Sequence, residues 1–139
     1  WDDFCSWYLE MVKPDFQKPI DKYTLNRTIG FFEKLMQLVH PFMPFITEEV
    51  WHQLQKRNED DCIIISRWPK VARPNKIILE QGEIMKEIIM KIREIRNQNQ
   101  IKPRDPMKLF IQTANTEQYN LFNNVLHKLG VLSEISFVE

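Results

Sequence analysis

HPFMPF, residues 40–45, sets two prolines three positions apart between two stretches of helical periodicity. A proline has no N–H to give, and its ring clashes with the carbonyl four residues back, so Pro41 ends a helix near His40. Pro44 suits the first turn of the next helix, where the missing N–H costs nothing. Thr47 is an alternative cap, and Glu48 and Glu49 then stand at the positive end of the helix dipole. The stretch reads as a sharp corner between two helices. Phe42, Met43 and Phe45 are expected to plug it, and His40 to hydrogen-bond a helix end.

Working outward, both flanks carry apolar stripes. Leu25, Ile29, Phe32, Leu35, Met36 and Val39 fall on one face before the corner. Thr24 is the expected cap of that helix. Gly30 inside it costs about 1 kcal/mol against alanine unless another helix packs close. Val50, Trp51 and Leu54 continue the stripe after the corner. Further upstream, Trp1, Phe4, Cys5, Tyr8, Leu9 and Val12 line one face of an amphipathic helix closed by Pro14, with Asp2, Asp3, Ser6 and Glu10 opposite. That face is loaded from its first residue, and the chain begins with Trp1. A helix starting further upstream, in a larger protein, is therefore expected.

Beyond Leu54 the pattern changes. Residues 58–61 read as an acidic loop, 62–65 as a short strand-like run, and 66–75 as an extended strap anchored by Trp68. A third helix is expected over 80–99, with Ile84, Met85, Ile88, Ile89, Ile92 and Ile95 buried and Lys86, Arg93, Arg96 and Asn97 on or near the polar side. Residues 107–113 alternate as a strand does. Thr116 starts a short helix carrying Phe122, Val125, Leu126 and Leu129, stopped by Gly130, and 133–139 alternate again. A strand–helix–strand crossover of this length predicts a right-handed βαβ unit with parallel strands. The fold class is thus mainly α: an antiparallel helical bundle over 1–104, followed by a small βαβ subdomain over 105–139.

Composition excludes several functions. Nineteen basic and nineteen acidic residues cancel, so attraction to a polyanion must come from a local patch. Cys5 and Cys62 have neither Cys-x-x-Cys nor metal-ligand spacing, which favours a reducing compartment or a neutral reading. No apolar run is long enough to span a bilayer, and no signal peptide is visible. The three glycines are isolated, so there is no phosphate-cradling loop. His40, His52 and His127 are scattered, and Glu48 and Glu49, as helix neighbours, point about 100° apart. No catalytic residue is assigned.

Two features do suggest a ligand. From Lys91 to Lys108 six basic residues (Lys91, Arg93, Arg96, Lys102, Arg104 and Lys108) stand against Glu94 and Asp105. The bland reading is a helix end whose dipole is matched by cations; the other is a phosphate-contacting strip, for which the arginine fork is well shaped. Trp1, Phe4, Trp7 and Tyr8 crowd eight residues. Most of these belong to a core, but Trp7 lies to the side of the stripe, where an exposed ring can stack on an unpaired base.

The ordered set WDDFCSWYLEMVKP (1–14), LVHPFMPFITEEVWHQL (38–54), SRWP (66–69) and IREIRNQNQIKP (92–103) resembles the anticodon-binding region of class I aminoacyl-tRNA synthetases, in the subgroup handling branched aliphatic amino acids. The run 92–103 and the ending HKLGVLSEISFVE (127–139) are similar to the valine enzymes of that subgroup. The resemblance covers nearly the whole chain. It implies a cytoplasmic helical module that holds the anticodon stem and loop of the valine tRNA. The parent enzyme's ATP-dependent ligation belongs to a catalytic domain marked by H-I-G-H and K-M-S-K-S motifs, neither of which occurs here, so this piece needs no cofactor of its own. It also implies an absent upstream helix and a downstream coiled coil, and an apolar face through which the piece could dimerise. The residues expected to meet tRNA are Phe4, Trp7, Lys13, Arg93, Arg96, Asn97 and Lys102. The competing readings are a helical module that docks a partner protein by an apolar face, and the same domain of an isoleucyl- or leucyl-tRNA synthetase.

Overall fold

A computed structural model describes residues 1–113 and 116–138. It divides into two compact units, Trp1–Ala72 and Arg73–Glu139.

In the first unit a π-helical turn, Asp3–Tyr8, runs into helix α1, Leu9–Val12. Helix α2 spans Lys22–Val39 and α3 spans Pro44–Leu54. The cap of α2 is Asp21, not Thr24: its carboxylate accepts the Thr24 N–H at 2.9 Å, because a capping oxygen reaches the third residue onward. The hydrogen bonds from Thr24 hold Asp21 below the ordinary carboxylate range. Gly30 meets nothing within 4 Å of where a Cβ would stand, so no close helix packing explains it.

The corner forms where the prolines place it. Phe42 and Met43 both donate their N–H to the Val39 carbonyl, at 2.9 and 3.1 Å, and Pro44 is the first residue of α3. Its plug, however, is polar. Thr47 is buried, and its hydroxyl donates to the Met43 carbonyl at 2.7 Å and lies 2.8 Å from His40 Nδ1. With the hydroxyl hydrogen used on Met43, the ring nitrogen is the donor. Phe42 and Phe45 point outward, 84% and 90% exposed. Helical geometry puts Thr47, one turn after Met43, on the inner side, and leaves the aromatics outside the bend.

Met36, Trp51 and Ile63 form the core between α2, α3 and the following segment, with Phe32, Leu35 and Val50 packed against it. Residues 62–65 are not strand-like: Ile63–Ile65 is a 3-10 turn that buries Ile63 and leaves Ile64 and Ile65 exposed. Trp68 does not anchor the strap; it is 62% exposed. Instead Trp51 Nε1 donates to the Asp61 carbonyl at 3.0 Å, and Gln37 Nε2 donates to Ser66 Oγ at 2.9 Å. Arg57 lies over the Trp51 ring, 3.9 Å from its centroid, pairs with Glu33 and donates to the Trp51 carbonyl.

In the second unit α4 spans Lys76–Gln98, one turn longer at its start than the sequence suggests, because Asn75 caps it by accepting the N–H groups of Ile77 and Ile78. Strand β1, Met107–Gln112, pairs in parallel with β2, Leu132–Val138. Between them lie α5, Glu117–Asn120, and α6, Asn123–Gly130. Thr116 stands at the start of α5 but its side chain caps nothing. The second compact unit begins at Arg73, so it takes in α4 as well as the residues 105–139 expected as the small subdomain; α4 packs on α6, and its Met85, Ile89 and Ile92 are buried. Gly130 is not the left-handed terminator; Val131 takes that conformation, at φ 51°. Gly130 is needed for closeness: a Cβ there would stand 2.9 Å from Leu132 Cγ and 3.2 Å from Ile92 Cδ1.

The two glycines predict opposite outcomes. Gly30→Ala gains helix propensity in open space and should stabilise the chain by about 1 kcal/mol. Gly130→Ala overpacks and should destabilise it by about 1–3 kcal/mol. Denaturant midpoints check both. Asp21→Ala should lower the melting temperature at neutral pH. Because the folded pKa of Asp21 is depressed, its contribution is present above the unfolded value and lost as pH falls through the folded one. The difference from wild type should vanish in acid.

Candidate nucleic-acid interface

Each unit carries part of the expected set. In the first, Phe4 is half-buried in a ladder of rings, stacked on Phe32 at 5.7 Å and on Tyr8 at 5.5 Å between centroids. Tyr8 in turn meets Phe31 edge-on at 5.3 Å and Thr28 Oγ1 at 3.2 Å. This ladder clamps the first helix to α2. Phe4 therefore spends its ring on packing. Trp7 is half-buried and Lys13 is exposed. Lys13 Nζ lies 3.5 Å from Glu10 Oε1, an exposed pair of the kind that contributes little.

In the second unit the site is the end of α4 and the loop that leaves it. Gln100 takes a left-handed conformation, φ 53°. The Ile101 N–H donates to the Arg96 carbonyl at 2.9 Å, and the Gln100 N–H to the Asn97 carbonyl at 3.3 Å. This pattern, one bond spanning six residues and a shorter one inside it, is a Schellman closure, here with glutamine where glycine is usual. It turns the chain sharply, so that Lys102 follows directly after the helix.

Arg96 is not on the exposed strip; it is only 7% exposed. One guanidinium nitrogen donates to the Lys102 carbonyl at 2.9 Å; the other donates to those of Gly130 and Val131 at 3.0 and 3.3 Å. A planar cation with fixed donors is suited to tie two loops at once, and here it ties the α4 exit to the α6–β2 junction. The reason lies in the helix period. Met85, Ile89, Ile92 and Arg96 are spaced four, three and four apart, which is one face. Ile95, assigned to that stripe from its chemistry, falls to the side and is 44% exposed. Spacing alone thus marked Arg96 as inward.

Arg93, Asn97 and Lys102 are exposed, as are Lys91 and Arg104. Arg93 and Asn97 are one turn apart on the same helix face. The loop carrying Lys102 is further held by the Asp105 N–H, which donates to the Lys102 carbonyl at 3.1 Å. The arrangement presents these cations on a hydrogen-bonded helix exit.

These features define a mainly α module with a cationic helix exit and a small parallel sheet. Residues 1–111 match the family described as the anticodon-binding domain of tRNA ligase, and the chain belongs to that family. It is 47% identical over its full length to a valine–tRNA ligase of Parabacteroides distasonis and 43% to that of Phocaeicola vulgatus. It is 34% identical, over 96% of its length, to a valine–tRNA ligase of Fusobacterium nucleatum. The chain spans about 16% of the length of these relatives.

Arg96→Ala removes a buried cation and takes a donor from three carbonyls, of which those of Lys102 and Val131 keep a backbone N–H. It should cost about 2–4 kcal/mol of stability. Lys102→Ala, whose carbonyl and not its ammonium is used, should change stability by no more than about 0.5 kcal/mol. Thermal unfolding of the two variants separates the roles.

Proposed function

We propose that this chain is the tRNA-gripping part of a valine–tRNA ligase, and that it holds the anticodon stem and loop of the valine tRNA while the larger enzyme carries out the ATP-dependent ligation. The observation that carries the reading is the match of the whole chain to valine–tRNA ligases, over a region that includes the anticodon-binding family's span. In this proposal Arg93, Asn97 and Lys102 contact the RNA from the second unit, and Trp7 and Lys13 from the first. Arg96 acts as a positioning residue that fixes the Lys102 backbone, and Phe4 supports the helix that bears Trp7.

A second reading, a module that docks a protein or a second copy of itself, is favoured by one observation. Phe42, Met43, Phe45 and Ile46 at the corner are all exposed and apolar. Association of that kind is insensitive to salt.

Each phosphate contact releases counterions, so affinity for tRNA should fall linearly with log salt. Binding of the chain to valine tRNA, followed from low to moderate salt, should show that fall. Arg93→Ala and Lys102→Ala should each weaken it and reduce the slope by about one. Salt-independent self-association in gel filtration, with no tRNA binding at low salt, would favour the docking reading instead.

A further inference from the structure

The side of α3 that faces the 3-10 turn brings together three groups that the tRNA reading does not use. Glu48 and His52 are one helical turn apart, and Glu48 Oε1 lies 3.3 Å from His52 Nε2. Both Glu48 carboxylate oxygens accept the Ile63 N–H, at 3.2 and 3.1 Å, which fixes the carboxylate's orientation. The peptide that makes this bond is the one Cys62 begins, so the same contact delivers the thiol. The ligating atoms of Glu48, His52 and Cys62 all lie within 4.8 Å of one another.

We propose that Glu48, His52 and Cys62 form a binding site for a zinc-type divalent cation. Zinc takes imidazole nitrogen, thiolate sulfur and carboxylate oxygen at about 2.0–2.3 Å. Donors around a tetrahedral ion then stand about 3.3–3.8 Å apart, so side-chain adjustments of about an ångström close the set. This mixture of donors is one that zinc accepts and that magnesium and calcium, which prefer all-oxygen sites, do not. Three protein ligands leave a fourth position, and the site opens onto a cavity of about 410 Å³, with Phe45 and Ile64 on its wall and no lysine or arginine lining it. Among the described residues the thiol also meets the Glu59 carbonyl, weakly, at 3.8 Å. On binding, the Cys62 proton leaves to solvent as the metal–sulfur bond forms, and His52 gives the lone pair of Nε2. The cation ties α3 to the segment that follows it.

The test is a titration of the whole chain with cobalt(II) in a non-thiol reductant. Expected is a near-ultraviolet thiolate-to-cobalt charge-transfer band that saturates at one ion per chain and is bleached by zinc. Cys62→Ser should abolish the band and Cys5→Ser should leave it unchanged. His52→Gln and Glu48→Gln should weaken cobalt binding at least tenfold. A second readout does not depend on the cysteine variant folding: zinc should raise the melting temperature of the wild-type chain and not that of His52→Gln. Absence of the band, its persistence in Cys62→Ser, or an equal zinc effect on His52→Gln would overturn the proposal.

Discussion

The second unit depends on one buried guanidinium. Arg96 stands where an aliphatic residue would complete the inner face of α4, and its donors reach carbonyls on two separate loops. Both loops need holding. The α4 exit contains Gln100 and the α6–β2 junction contains Val131, each in a left-handed conformation that side chains other than glycine resist. Val131 is β-branched, so its conformation is the more costly. The hydrogen bonds from one cation offset that cost at both places. They also set the sheet, because Val131 leads directly into β2, and Met107 at the start of β1 donates its N–H to the Val131 carbonyl.

The first unit uses the same device in another form. Arg57 covers Trp51, pairs with Glu33 on α2 and bonds the end of α3, while Trp51 holds the acidic loop through Asp61. A small helical pair cannot bury much apolar surface, and its core is built on Met36, Trp51 and Ile63, with Phe32, Leu35 and Val50 partly buried against them. Polar clamps with definite geometry, including His40 with Thr47 at the corner, complete what the core begins.

Much of this was legible in the residues. The helices, the proline corner, the parallel strands and the family resemblance all follow from periodicity, breakers and ordered motifs. The differences share a physical cause: position outranks chemical type. Phe42 and Phe45 are aromatic and suggest an inward place, yet helical phase gives that place to Thr47. Ile95 suggests core and Arg96 surface, although the spacing from Met85 and Ile89 favours the arginine. The isoleucines at 63–65 suggested a strand, but a turn that buries one and exposes two serves as well. The Glu48–His52–Cys62 group was hidden differently. Cysteine spacing was read only against cysteine, while its partners lie on a helix that the chain folds back to meet.

In the proposed function, the residues that touch RNA are distinct from the residues that hold them in place. The cationic strip read from charge alone was six residues long; the structure withdraws Arg96 from it and makes that residue the support for Lys102. Stiffness of this kind lowers the entropy cost of binding, because the cations are carried on backbone already fixed. The most direct measurement follows the arginine side-chain N–H signals of the chain by nuclear magnetic resonance as an anticodon stem–loop of the valine tRNA is added. The account requires the Arg96 signals to stay in place, still bonded to carbonyls, while those of Arg93 move. Arg96 signals that shift with RNA while those of Arg93 remain still would contradict it.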